Sequence, residues 1–92
     1  LRTIARGDST AGFLAMLERD ETAVLVLSQA HWRDGCHLDL DRVACAARGA
    51  GVPVVLDLSQ SLGVLPCDVA RWRPAFAMSV GYKWWLAGKG LC

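Results

Sequence analysis

Three apolar runs divide the chain, and helical patterns separate them. The run at residues 23–27 is short, continuous and rich in β-branched residues, which is typical of a strand covered on both faces. The run at residues 52–56 predicts a second, buried strand with Asp57 at its carboxyl end. A third run at residues 75–80 predicts a third strand. Residues 28–35 and 81–83 follow the first and third runs, and we expect them to be exit loops.

Apolar residues at helical spacing predict two helices. The first covers about residues 10–20, and the polar residues 8–10 offer oxygens to its free amino-terminal amides. The second begins near residues 38–41 and ends at Gly49 or Gly51. Its apolar stripe consists of Leu40, Val43, Ala44 and Ala47.

The order of these elements predicts the fold class. A strand, a helix and a second strand with short connections form a right-handed βαβ unit with parallel strands. A short helical stretch within residues 65–74 then leads to the third strand. Ligands of open parallel sheets bind outside the carboxyl ends of the strands, so residues 28–32 and 57–60 should face a ligand. We therefore predict an α/β fold.

The composition does not suit a complete small domain. The chain has 92 residues, of which 53% are hydrophobic, and its mean hydropathy is +0.29. A chain this short exposes much of its surface, and that surface should be polar. We therefore expect residues 1–92 to be an internal piece of a larger core.

Charge and cysteine usage narrow the possible partners. The net charge of +1, with scattered arginines, argues against binding to nucleic acid. No apolar run approaches the ~20 residues that span a bilayer, so we expect no membrane partner. The cysteines lack CxxC spacing and favour buried thiols in a reducing, cytoplasmic compartment over disulfides or a metal site.

An acid and a lysine form the candidate chemical pair. Asp57 ends the second apolar run, and Lys83 lies among Tyr82, Trp84 and Trp85. These aromatic neighbours should partly desolvate the amine and favour the neutral form that attacks a carbonyl. Pyridoxal phosphate needs such an amine, together with a carboxylate at its pyridine nitrogen. The pair therefore suits pyridoxal-phosphate chemistry.

Residues 57–69 and 76–90 resemble the class V aminotransferase family of fold-type I pyridoxal-phosphate enzymes. This family includes cysteine desulfurases, kynureninases and isopenicillin-epimerase-like proteins. The matching residues are Asp57, Gln60, Gly63, Pro66, Asp68, Tyr82, Lys83, Trp84, Gly88 and Gly90. The resemblance implies that residues 1–92 are an internal fragment of the pyridoxal-phosphate-binding large domain, a three-layer core with a parallel sheet.

The resemblance also implies roles for individual residues. Lys83 matches the catalytic lysine that holds the cofactor as an internal aldimine and moves protons at the substrate α-carbon. Asp57 matches the aspartate at the pyridine nitrogen, and Gln60 matches a residue near the cofactor phenol oxygen. Tyr82 matches a kynureninase-like residue whose hydroxyl reaches the cofactor phosphate. His31 lies in a loop that often approaches cofactor or substrate in this family.

The implied function is an enzyme that acts on an amino acid, whether aminotransferase-, epimerase- or lyase-like, within a homodimeric parent protein. We expect the isolated chain to be inactive, because the family draws other site residues from upstream, downstream and a second subunit. Ala75 and Lys89 replace an aspartate and a proline usual in related sequences, so a non-catalytic remnant is one alternative. Another alternative is a different α/β nucleotide-binding domain, although no GxGxxG or GxxxxGK[ST] motif occurs.

Overall fold

The structure is a computed structural model that describes residues 9–19 and 21–92. Helices and strands alternate in it as α1 (Ser9–Leu17), β1 (Leu25–Ser28), α2 (Leu40–Gly49), β2 (Val54–Asp57), α3 (Val69–Trp72) and β3 (Phe76–Met78). The strands form one sheet in the order β1-β2-β3, and both neighbouring pairs are parallel. The predicted α/β fold with a parallel sheet is confirmed.

One face of the sheet packs on the helices. The predicted apolar stripe of α2 is buried, as are alternate residues of β1 and β2. The core cluster includes Leu25, Leu27, Val43, Ala44, Ala47, Val54, Leu56 and Trp72, with Phe13, Leu14 and Leu17 packed against it. The described residues therefore supply two layers, a sheet and a helical layer on one side of it.

The opposite face of the sheet is open in the part of the chain that the structure describes. Side chains alternate between faces along a strand, and the cross-strand row Val26, Val55 and Phe76 lies on this second face. Val26 is 63% exposed and Phe76 is 74% exposed. The prediction that the first strand is covered on both faces is therefore wrong for the described residues.

All three strands differ from the predicted bounds. β1 and β2 begin two residues later than the apolar runs and end one residue later, and β3 is shorter than residues 75–80. In β2 the cause is local, since Val52 N–H donates to Ala47 O at 2.8 Å and is thereby held at the end of α2. As a consequence, Asp57 is the last residue of β2 and pairs with Ser28 and Met78.

The first helix is shorter than predicted, and Thr10, a predicted capping residue, makes a different contact. Thr10 lies inside α1, is buried, and its Oγ1 accepts a bond from Asp39 N–H at 3.2 Å. This bond ties α1 to the start of α2, where Asp39 Oδ1 caps the helix by accepting from Arg42 N–H at 3.0 Å. The predicted capping oxygen of Asp8 lies outside the described residues, as does Asp20.

The later helix ends agree with the sequence patterns. α2 ends at Gly49, within the predicted stop, and Gly51 adopts a φ of +69° that favours glycine. The short helix α3 starts after Asp68, whose Oδ1 accepts from Arg71 N–H at 2.9 Å. It ends before Arg73, which adopts a left-handed φ of +50°.

Candidate active site

Asp57 stands where β2 enters its exit loop, with one carboxylate oxygen fixed. Its Oδ1 accepts a bond from Ser59 N–H at 2.9 Å, the geometry of a turn closed by an aspartate side chain. The residue is half-buried, and among the described residues Oδ2 accepts no hydrogen bond. One oxygen therefore holds the loop while the other is available to a donor.

Ser59 connects the exit of β2 to the exit of β3. Leu58 N–H donates to Met78 O at 2.8 Å, which extends the strand pairing by one step. Ser59 Oγ then accepts a bond from Val80 N–H at 3.2 Å. The sequence does not mark Ser59 for this contact, because the turn is signalled by the aspartate and its N–H donor can belong to any residue other than proline.

Lys83 lies in a compact loop after β3. Ala87 N–H donates to Gly81 O at 3.0 Å, and Gly81 N–H donates to Leu91 O at 2.7 Å. Lys83 is half-buried, and its side chain makes no ion pair or hydrogen bond with another described residue. The backbone of the loop is therefore fixed, while the Lys83 amine has no partner among the described residues.

The aromatic neighbours of Lys83 are more exposed than the sequence suggested. Tyr82, Trp84 and Trp85 are 47%, 53% and 62% exposed. In the described part of the chain these rings therefore shield the Lys83 amine from water only in part. Trp84 nevertheless has a defined partner, because its Nε1–H donates to Gln60 O at 2.8 Å. Trp84 and Trp85 both lie beside Gly63, where an added Cβ would stand 3.3 Å from Trp84 Cβ and 3.2 Å from Trp85 Cδ1.

The predicted site residues fall into two groups. Hydrogen bonds between the two exit loops bring the segment of Asp57 and Gln60 together with the segment of Tyr82 and Lys83. His31 is not part of this network, and its Nδ1 lies 2.8 Å from Asp34 Oδ1. Within the described residues, no hydrogen bond connects His31 with the first group.

Gln29 is a buried polar residue at the same edge, within the segment 28–32 that the sequence predicted to face a ligand. It directly follows β1, is 5% exposed, and its Nε2–H donates to Pro66 O at 2.9 Å. Its Oε1 is buried without a hydrogen-bond partner in the described part of the chain. The side chain thus holds the exit of β1 against the loop that precedes α3.

In the part of the chain that the structure describes, no group of three or more His, Cys, Asp or Glu side chains could hold a metal ion. None of the described helices is long and apolar enough to span a bilayer.

Curated kynureninases are similar to most of this chain. Those of Deinococcus radiodurans and Bacillus mycoides are each 32% identical over 71 residues, which is 77% of the chain. That of Shouchella clausii is 31% identical over 72 residues. The resemblance to the class V aminotransferase family is confirmed. The chain spans 17% of the length of these class V relatives.

A solved structure of low sequence identity has a similar fold. A chain in the crystal structure of the SepCysS–SepCysE N-terminal domain complex matches with a TM-score of 0.77 over 88% of this chain and 23% of that one. The sequences are 19% identical, so the match shows a shared fold. No protein-family model matches the chain.

Proposed function

We propose that residues 1–92 form part of the pyridoxal-phosphate-binding large domain of an enzyme that acts on an amino acid. The observation that carries the proposal is the hydrogen-bonded junction between the exit loops of the adjacent parallel strands β2 and β3. Asp57 belongs to one loop and Lys83 to the other. Both groups thus lie at the edge where ligands of parallel sheets bind.

The side chains of this edge fit pyridoxal phosphate. The cofactor requires an amine for its carbonyl carbon and a carboxylate for its pyridine nitrogen. Lys83 offers an amine without an ionic partner among the described residues, and Asp57 offers a carboxylate oxygen without a donor there. These are the two free groups that a cofactor of this chemistry would engage.

Each residue then has a defined task. Bound pyridoxal phosphate supplies an electron sink for the substrate. Lys83 would bind the cofactor through Nζ and move the proton at the substrate α-carbon. Asp57 would hold a proton at the pyridine nitrogen, and Gln60 would donate its amide to the phenol oxygen. The Tyr82 hydroxyl would bind the phosphate, and His31 would contact cofactor or substrate from the loop after β1.

The reaction class and the assembly are proposed more broadly. We infer an aminotransferase-, epimerase- or lyase-like reaction on an amino acid, and a cytoplasmic homodimer as the whole protein. The family resemblance supports both inferences. The exposed indoles of Trp84 and Trp85 beside Lys83 also support a subunit interface, since exposed apolar clusters often mark association surfaces.

The experiment that tests the proposal maps the lysine that binds the cofactor. A full-length protein containing this sequence is purified with pyridoxal phosphate, reduced with borohydride and mapped by peptide mass spectrometry. We expect a yellow protein with the reduced cofactor attached at Lys83. The adduct should be absent in Lys83→Ala and retained in the control Lys89→Ala. A colourless protein without an adduct at Lys83 would leave the non-catalytic remnant as the better description.

A further inference from the structure

Two hydrogen bonds bracket Lys83 and fasten its loop to the loop of Asp57. Val80 N–H donates to Ser59 Oγ at 3.2 Å, ahead of the lysine. Trp84 Nε1–H donates to Gln60 O at 2.8 Å, directly after it. We call these two bonds the clasp. Its acceptors lie on consecutive residues of a single turn, so both sides of Lys83 are held by the same short segment.

The acid belongs to this arrangement through Ser59. The backbone N–H of Ser59 donates to Asp57 Oδ1 at 2.9 Å, while its hydroxyl oxygen accepts from Val80. The carboxylate of Asp57 and the loop of Lys83 therefore share one residue as their common support. A shift of Ser59 would move both groups relative to each other.

Apolar packing gives the lysine loop little other support. None of residues 81–87 belongs to the buried core, and all of them are exposed or half-buried. Polar bonds must therefore provide much of the positional restraint on Lys83. Restraint of this kind matters, because a misplacement of about 1 Å at a reacting group can reduce a rate by about 100-fold.

We infer that Ser59 and Trp84 are positioning residues that set Lys83 relative to Asp57. The inference rests on the proposed function, because it assigns the clasp to the same cofactor site. Trp85 provides a matched comparison for Trp84. It is an adjacent indole of similar exposure that lies beside Gly63, as Trp84 also does, but it makes no hydrogen bond with a described residue.

The test uses two readouts on a full-length protein containing this sequence. Hydrogen exchange of the peptide that spans residues 79–87 is measured without cofactor, and the dissociation constant of pyridoxal phosphate is measured separately. Trp84→Phe removes the indole donor but keeps an aromatic ring, and Ser59→Ala removes the hydroxyl acceptor. We expect each to speed exchange and to weaken cofactor binding about 3- to 10-fold, the range of one net hydrogen bond.

The controls separate positioning from general damage. Ser59→Thr retains a hydroxyl and should restore slow exchange and tight binding, and Trp85→Phe should stay near the wild-type values. The positioning role of the clasp would be overturned if Trp84→Phe and Trp85→Phe changed the exchange rate and the cofactor affinity equally. It would also be overturned if neither Trp84→Phe nor Ser59→Ala changed them.

The two proposals can fail separately. An adduct at Lys83 combined with unchanged exchange and affinity in the clasp variants overturns the clasp and leaves the proposed function intact. Absence of the adduct in the wild type overturns the proposed function and the cofactor role of the clasp. Faster exchange in the same variants would then still support the clasp as the device that joins the two loops.

Discussion

The two faces of the sheet carry similar side chains but have different environments. Leu27 and Leu56 lie on the face that α1 and α2 cover, and both are buried. Val26 and Phe76 lie on the other face and are exposed. The difference in burial between the two faces does not come from residue type. It comes from the helical layer, which covers only one of them in the described residues. An apolar run in a strand therefore indicates that a face requires a cover, and the elements packed beside it decide whether the face has one.

Truncation of a side chain on the covered face should lower the stability of the fold more than any other change proposed here. Leu56 is 0% exposed in the central strand, so Leu56→Ala should lower the free energy of unfolding of the 92-residue chain by about 2–5 kcal/mol. Its neighbour Val55 lies on the open face, and Val55→Ala should cost about 1 kcal/mol or less. Urea denaturation measures both. Equal losses would contradict the assignment of one face as covered.

A polar contact at the edge of the covered face should have a smaller effect. Trp72 is buried, and its Nε1–H donates to Asp41 Oδ1 at 2.8 Å. Trp72→Phe keeps an aromatic ring but removes the donor, so the free energy of unfolding should fall by about 1 kcal/mol. Thermal unfolding compares this variant with Trp32→Phe, which changes an exposed indole. No difference between them would show that the contact with Asp41 adds nothing.

Substitution at the open face should barely affect stability but should change association. Phe76→Thr removes an exposed ring and keeps a residue suited to a strand, so stability should stay within about 0.5 kcal/mol of wild type. Removal of exposed apolar surface should also reduce self-association of the 92-residue chain. Sedimentation velocity measures this change. A large loss of stability would indicate that Phe76 is packed against another part of the chain.

Sequence patterns predicted the parts of this fold that depend on local spacing. The stripe of α2 and the parallel direction of the first two strands follow from helical periodicity and from the short connections, and the structure confirms both. Strand ends could not be predicted, because they depend on tertiary bonds such as the one from Val52 N–H to Ala47 O. The open face could not be predicted either, since the strand residues do not specify which elements lie beside them.

The candidate site shows the same limit. Asp57 and Lys83 could be selected from residue type, strand position and family resemblance. The hydroxyl of Ser59 and the indole of Trp84 could not be assigned roles, because their partners belong to a loop more than 20 residues away in the chain. The roles of Gln60, Tyr82 and His31 stay predictions. Gln60 and Tyr82 lie in the two loops that the hydrogen bonds connect, whereas His31 pairs with Asp34 outside them.

The smallest expected effect is a difference in reactivity between a thiol that packs against the core and a thiol at the surface. Cys67 packs against the core cluster, whereas Cys45 is exposed. Burial, and then the negative charge of Asp68, raise the pKa of the Cys67 thiol above its ordinary value. At a given pH a smaller fraction of Cys67 is thiolate than its ordinary pKa would give, and its sulfur is less accessible than that of exposed Cys45, so iodoacetamide should alkylate Cys67 more slowly than Cys45.

The raised pKa of Cys67 also predicts how protein stability and the rate of its alkylation change with pH. Because folding favours the neutral thiol, its contribution to stability is present below the ordinary cysteine pKa and is lost as the pH rises through the higher pKa of folded Cys67. The difference in alkylation rate should narrow over the same range. Asp68→Asn keeps an oxygen that can cap α3 but removes the charge, so it should speed alkylation of Cys67 selectively. Mass spectrometry of each cysteine peptide over a pH series measures these rates, and faster alkylation of Cys67 than of Cys45 near neutral pH would contradict its position against the core.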